Sequence, residues 1–264
     1  MSNTHDPLDR LRLPRFPRTN AYDPAWIIAN QMGPHPLWLL ESLTERITLH
    51  PGMRVLDLGC GTALTSIFLA REFGVRVWAA DLWIDPSSNW TRIHEAGVTD
   101  LVTPMRATAH ELPFAREFFE AVVSIDAYHY FGTEDLFLAW SLAPLMAPGS
   151  PIGIVVPAVR EEIDEVPEPL RPYWTADMWT LHSPQWWRRH FERSGEVEVQ
   201  AADSLPDGWN LWRTWGEVLQ EVGASHAPDA PPPPEGTDDL ALLEADTGHL
   251  LGFATVIGRK RDVA

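Results

Sequence analysis

The first residues of this 264-residue chain that could do chemistry are a glycine turn and two carboxylates. Val55-Leu56-Asp57-Leu58 reads as a buried strand that runs into Gly59-Cys60-Gly61, and Thr62-Ala63 opens a helix. A ligand can approach the backbone closely where no Cβ intervenes, and a helix N-terminus offers free N–H donors. A dinucleotide fingerprint wants a third small residue for close helix–strand packing, and this chain has Leu64 there, which disfavours a pyrophosphate. Asp57 is expected at the mouth of the turn, where it would repel a diphosphate and suit a ligand bearing an amino group. Asp81, twenty residues after Gly61, closes the next strand, where a carboxylate can accept both hydroxyl protons of a ribose.

A second group follows a later strand. Asp126, Tyr128 and His129 fall at and just after the end of the strand read over Glu120–Asp126, the end expected to face the crevice of a doubly wound sheet, so they are the candidate catalytic residues. His129 is the candidate base or acceptor-positioning group, against a packing role between Tyr128, Tyr130 and Phe131. Cys60 has no His or Lys partner placed by the sequence and reads as a small filler, not a nucleophile. The histidines show no metal-ligand spacing, so no metal is expected. Trp174, Trp179, Trp186 and Trp187, with Tyr173, read as core and cap packing or as an aromatic acceptor pocket. Trp209, Trp212 and Trp215 recur every three residues as a helical stripe expected over the same mouth.

The elements that must position these residues alternate. Strands are expected at 53–58, 75–80, 101–107, 120–126, 152–156, 197–200 and 250–260, and helices at 38–47, 62–71, 89–96, 136–146 and 186–194. The strands are nearly continuous apolar runs, which argues for an α/β fold: a doubly wound, mostly parallel, seven-stranded sheet covered on both faces. A proline-rich excursion before the last strand suggests that this strand inserts antiparallel. The organisation read from these changes is an N-terminal extension over 1–37 that could cover the site, a core over 38–157, a Trp-rich inserted cap over 158–185, and a C-terminal part of the sheet over 186–264 with a proline-rich linker or mobile loop at 225–239.

Composition narrows the partners. Hydrophobic residues make up 45% of the chain and charged residues 22%, which is globular and not disordered. Asp and Glu number 37 against 20 Lys and Arg, a net charge of −17 that repels nucleic acid and anionic lipid. Residues 1–20 mix Asp6, Asp9, four Arg and three Pro, so neither a signal peptide nor a membrane span is expected. The single cysteine points to a reducing, cytoplasmic compartment. Oligomeric state is not legible.

With these residues in view, the stretch from Trp38 to Pro157 resembles the class I S-adenosylmethionine-dependent methyltransferases, nearest to the ubiquinone-type and cyclopropane-type small-molecule enzymes. Val55–Ala63 is similar to their first motif and Asp81-Leu82-Trp83 to the second. Thr108-Ala109-His110-Glu111-Leu112-Pro113-Phe114 is similar to the third, Ser124–Tyr130 to the fourth, and Met146-Ala147-Pro148-Gly149-Ser150 to the turn before strand five. The resemblance implies a Rossmann-like fold and S-adenosyl-L-methionine as cofactor, with S-adenosyl-L-homocysteine as product. It implies cofactor contacts from Asp57, Gly59, Cys60, Gly61, Thr62, Asp81, Leu82, Trp83, Thr108, Ala109, His110 and Ser124, with Leu82 or Trp83 flanking the adenine. Thr108 stands where relatives often carry Asp, so His110 or the Ala109 N–H would replace that contact. The implied activity is in-line methyl transfer to a small organic acceptor. A silent cofactor-binding regulator and a nicotinamide oxidoreductase are the rival readings.

Overall fold

The computed structural model describes residues 6–262. Residues 1–5 of the expected N-terminal extension, and residues 263–264, lie outside the described residues.

Seven strands form one sheet: β1 (Arg54–Leu58), β2 (Arg76–Asp81), β3 (Val102–Arg106), β4 (Ala121–Ile125), β5 (Pro151–Val159), β6 (Val197–Ser204) and β7 (Leu251–Lys260). Their order is β3-β2-β1-β4-β5-β7-β6. β1 to β5 are parallel, and β7 runs antiparallel to both β5 and β6. The direction of winding reverses between β1 and β4, and in open α/β sheets a crevice opens beyond the strand ends at that point.

Several helices share one start signal. A capping side chain precedes proline at the first helical position, as in Asp23 before α1 (Pro24–Ala29), His35 before α2 (Pro36–Thr44) and Asp85 before a helix at Pro86–Glu95. Each cap satisfies an orphan N–H, and proline loses none that the helix needed. α3 (Leu64–Phe73) starts instead from Ala63 in the left-handed region and ends on Gly74. Pro86–Glu95 is α4, and α5 (Pro184–Arg193), α6 (Gly208–Glu221) and α7 (Asp239–Asp246) complete the set. Leu40, Leu43, Ile67, Phe68 and Trp215 fill the core on one face of the sheet, and Tyr128, Phe137, Leu142, Trp187 and Phe191 fill it on the other.

Three expectations need correction. The helix expected over 136–146 is a π-helical turn at Phe137–Leu142 followed by a 3-10 turn at Ala143–Leu145. Pro144 has no N–H to continue a regular ladder, so the chain tightens and stops. β6 runs to Ser204, and a register shift between Val199 and Ala201 carries it on past Gln200. The stretch 158–185 begins as the end of β5 and then holds two 3-10 turns, Glu168–Tyr173 and Ala176–Thr180.

Candidate active site

A cavity of about 550 Å³ opens beyond the ends of β1, β2 and β4, within the 300–1,000 Å³ typical of small-ligand sites. One wall is Gly59-Cys60-Gly61-Thr62. Gly59 has φ +74, its N–H donates to the Ala80 carbonyl at 2.8 Å, and a Cβ there would stand 2.3 Å from the Cβ of Ala127. Gly61 has φ +53 and faces the Met32 sulfur, 2.9 Å from where its Cβ would be. The turn is glycine because the backbone conformation and the neighbours leave no room for a side chain.

Asp81 is only 7% exposed and ties this wall to the next. Its Oδ2 accepts from Gly61 N at 2.9 Å, and its Oδ1 accepts from Trp83 N at 2.7 Å and Ile84 N at 2.9 Å. A carboxylate offers about four acceptor positions, so one remains toward the cavity. The expectation of two ribose hydroxyls on this group is therefore narrowed to one while the loop keeps its shape. Leu82 and Trp83 line the cavity and stay about half exposed. Trp83 meets Tyr130 edge to face at 5.5 Å. Thr108, Ala109 and His110 also line the cavity, following Ala107, whose N–H donates to the Asp81 carbonyl at 3.0 Å, and His110 Nε2 lies 3.1 Å from Glu134 Oε2.

Two expected cofactor contacts lie behind the wall. Asp57 is fully buried, and its Oδ2 accepts from Thr65 Oγ1 and Ser66 Oγ, each at 2.6 Å. Strand alternation turns it toward α3, so it braces the helix start instead of standing at the mouth. Burial lifts its carboxyl pKa to about 6, against the pull of those two hydroxyls. Ser124, also fully buried, donates to the Leu58 carbonyl at 2.7 Å and pins β4 to β1. Cys60 lines the cavity, but burial and the nearby acids push its thiol pKa up, so it is no nucleophile at neutral pH.

Of the three candidate catalytic residues, only Asp126 reaches the cavity. It has φ +54, which a non-glycine residue seldom adopts, and Asp is among the residues that tolerate it. The backbone then enters a 3-10 turn at Tyr128–Tyr130. That turn carries Tyr128 into the core against Trp187 and Phe191, and Tyr130 outward onto the cavity wall. His129 is 4% exposed, packs tilted against Tyr130 with ring centroids 4.0 Å apart, and does not line the cavity. Burial lowers its pKa to about 3, so it is neutral at physiological pH. Placing Tyr128 and His129 at the reacting atoms is thus corrected: they pack. Burial and, secondarily, Asp239 hold the Asp126 carboxyl well above its usual range.

The remaining wall lies within the N-terminal extension, none of whose residues the sequence singles out for the site. Asn30, Met32, Gly33, Pro34 and Pro36 line the cavity. Thr62 Oγ1 donates to the Asn30 carbonyl at 2.6 Å, and Trp215 Nε1 donates to the Gly33 carbonyl at 2.8 Å. Of the stripe Trp209, Trp212 and Trp215, only Trp215 supports the wall, from behind and buried beside His35 and Trp38, while Trp212 packs on Phe253. None of Tyr173, Trp174, Trp179, Trp186 and Trp187 lines the cavity, so an aromatic acceptor pocket built from them is not what this fold makes. Among the described residues, no group of three or more His, Cys, Asp or Glu is placed to hold a metal ion, and no helix is long and apolar enough to cross a membrane.

The fold and this crevice define a doubly wound α/β protein with a nucleoside-sized site at its switch point. Residues 55–149 match the family profile described as a methyltransferase domain. The chain is 29% identical over 133 residues to methyltransferase GfsG of Streptomyces halstedii, a stretch covering 48% of this chain and 46% of that one, so the chain spans less than half of that relative. In structure it is similar to phosphoethanolamine N-methyltransferase 2 of Haemonchus contortus in complex with S-adenosyl-L-methionine, with a TM-score of 0.68, 17% identity, and coverage of 98% of this chain and 61% of the other. It is also similar to the [4+2]-cyclase SpnF, with a TM-score of 0.62, 16% identity, and coverage of 86% and 81%. The matched segment, residues 55–149, is thus similar to a methyltransferase domain, and the fold around it is shared with solved methyltransferase structures. The likeness to a cyclase is a reminder that this fold hosts more than one reaction.

Proposed function

We propose that this protein binds S-adenosyl-L-methionine in the switch-point cavity and transfers its methyl group to a small organic acceptor, releasing S-adenosyl-L-homocysteine. The observation that carries the reading is the convergence of Gly59–Thr62, Asp81–Trp83 and Thr108–His110 on one cavity of about 550 Å³, a volume suited to a cofactor-sized ligand. The residues fit that group. Two glycines remove the Cβ atoms that would block a close approach, and Asp81 keeps one acceptor position for a ribose hydroxyl. Leu82 and Trp83 offer apolar surface for an adenine, beside Thr108, Ala109 and His110. The family match over 55–149 supports the same reading, and the neighbour's complex supports the choice of cofactor.

The bound cofactor supplies a methyl group already made electrophilic by its sulfonium. The protein must align the acceptor and exclude water, and alignment can lower a barrier by about 7–11 kcal/mol, more than the 10²–10⁴-fold of a general base. Residues from Asn30 to Pro36 supply lining that the sheet does not, and Asp126 and Tyr130 line the same cavity, Tyr130 against Trp83. The test is calorimetric titration with S-adenosyl-L-methionine and with NAD, followed by incubation with methyl-labelled cofactor and a metabolite extract. Micromolar binding of the first alone, with label transferred, is expected. Binding without transfer would leave a regulatory cofactor-binding protein, and binding of NAD instead would overturn the reading.

A further inference from the structure

The cavity's charge is one-sided. Asp81 and Asp126 line it, and among the described residues no Lys or Arg does. Three backbone N–H groups already occupy the Asp81 carboxylate. Among the described residues no hydrogen bond holds the Asp126 side chain; its backbone N–H donates to the Val155 carbonyl at 2.8 Å. At Asp126 its chain neighbours Ile125 and Ala127, and the neighbours of Gly33, Met32 and Pro34, are apolar lining, and Tyr130 and Phe131 line the same cavity. Gly33 faces Asp126 directly, since a Cβ on Gly33 would stand 2.4 Å from Oδ2, and its carbonyl is held by Trp215. Glycine there leaves the carboxylate unobstructed.

A carboxylate without a partner on an apolar wall is expensive to ionise unless a cation meets it. Asp239, held by Trp212 Nε1 at 3.3 Å, adds a second negative charge near enough to repel Asp126. Phosphate or carboxylate acceptors would meet this wall with no cationic side chain to receive them. The whole-chain charge of −17 steers in the same direction, drawing cations and repelling anions.

We infer that the methyl acceptor is an amine, bound as its ammonium ion against the Asp126 carboxylate with its carbon skeleton on the apolar wall; this rests on the methyltransferase reading of the cavity. Asp126 takes one ammonium proton and later gives it to water. The freed nitrogen lone pair forms the N–CH₃ bond while the C–S bond breaks and its electron pair returns to sulfur. The products are the methylated ammonium ion, the neutral thioether and one released proton.

The experiment uses the full chain with methyl-labelled S-adenosyl-L-methionine and a panel of primary amines from n-propylamine to 2-phenylethylamine, set beside the alcohols and carboxylic acids of the same skeletons. Label is expected in one or more amines, on nitrogen by mass, and in no alcohol or acid. Label in an alcohol or acid, or in no amine, overturns the inference. If the cofactor itself does not bind in calorimetry, the methyltransferase reading fails first. Asp126→Asn keeps a residue type that tolerates φ +54. It should lower kcat/KM for the labelled amine by about 100-fold, with the cofactor dissociation constant within threefold. Unchanged kcat/KM, or a tenfold weaker cofactor, would move Asp126 away from the acceptor and overturn the assignment. The wild-type panel decides the matter even if the variant does not fold.

Discussion

Arg92 holds both carboxylate oxygens of Asp229, at 2.9 and 2.5 Å, across 137 residues of chain. The same guanidinium donates through Nε to Asn30 Oδ1 at 2.6 Å and through Nη1 to Asn89 Oδ1 at 3.1 Å, and Asn89 donates to the Gly61 carbonyl at 2.8 Å. One planar side chain thereby joins α4, the glycine turn, Asn30 and the proline-rich segment. A lysine cannot reproduce that fork. Arg92→Lys should weaken cofactor binding by about tenfold, or about 1.4 kcal/mol, mostly through faster release measured by stopped flow. Asp229→Asn should do the same, and the double variant should cost less than the sum, as for any two residues in one network. Strict additivity would show that the pair does not act as one latch.

The two glycines of the turn are not equivalent. A Cβ at Gly59 would lie 2.3 Å from the Cβ of Ala127, an atom fixed to the backbone, whereas at Gly61 it would lie 2.9 Å from the end of the flexible Met32 side chain. Both positions have positive φ, which costs an alanine about 1–2 kcal/mol. Gly61→Ala should therefore fold and bind the cofactor about tenfold more weakly. Gly59→Ala should abolish measurable binding and lower Tm by several degrees. Equal effects in paired calorimetry and melting would show that the clash is relieved elsewhere.

The legible parts of this site were those whose signal is local. Gly59, Gly61 and Asp81 sit at the ends of apolar strands, and strand, turn and helix follow one another within about twenty residues, so the order of residue types marks them. The antiparallel β7 was legible from the excursion that precedes it. An N-terminal extension that could cover the site was legible, but not its lining residues Asn30–Pro36, because a short irregular segment carries no period and its contacts are with Thr62 and Trp215 far along the chain. The choice between Tyr128 and Tyr130 was also hidden. It is decided by the positive φ at Asp126, which rotates the turn that follows. Asp57 could be seen as a carboxylate beside glycines, but the two hydroxyls of α3 that claim it could be paired with it only in space.

His129 now carries a different expectation from that of a base. It is buried, and its ring packs on Tyr130. His129→Ala should cost about 2–4 kcal/mol of stability through the cavity it leaves, read in urea melts. Cofactor affinity and turnover of the folded protein should change by less than threefold. A loss of turnover at full cofactor affinity would restore it to the reacting atoms.

Asp57 gives the pH dependence a sign. Its carboxyl pKa rises from 3.8 to about 6 in the folded chain, first through burial, so the native state holds this proton more tightly than the unfolded state does. Below pH 3.8 both states are protonated and the group is neutral toward stability. Between pH 3.8 and 6 the unfolded chain ionises first, and stability falls until the native group ionises as well. The full drop corresponds to about 3 kcal/mol, the pull of the Thr65 and Ser66 hydroxyls being already contained in the pKa of about 6. Asp57→Asn removes the titration and keeps the shape, since both hydroxyls can rotate to meet the amide. Urea melts should find the variant close to wild type at pH 4 and more stable by about 1–3 kcal/mol at pH 7.5. A variant equally or less stable at pH 7.5 would mean that the buried carboxylate is held ionised by the native structure, with its pKa lowered instead of raised.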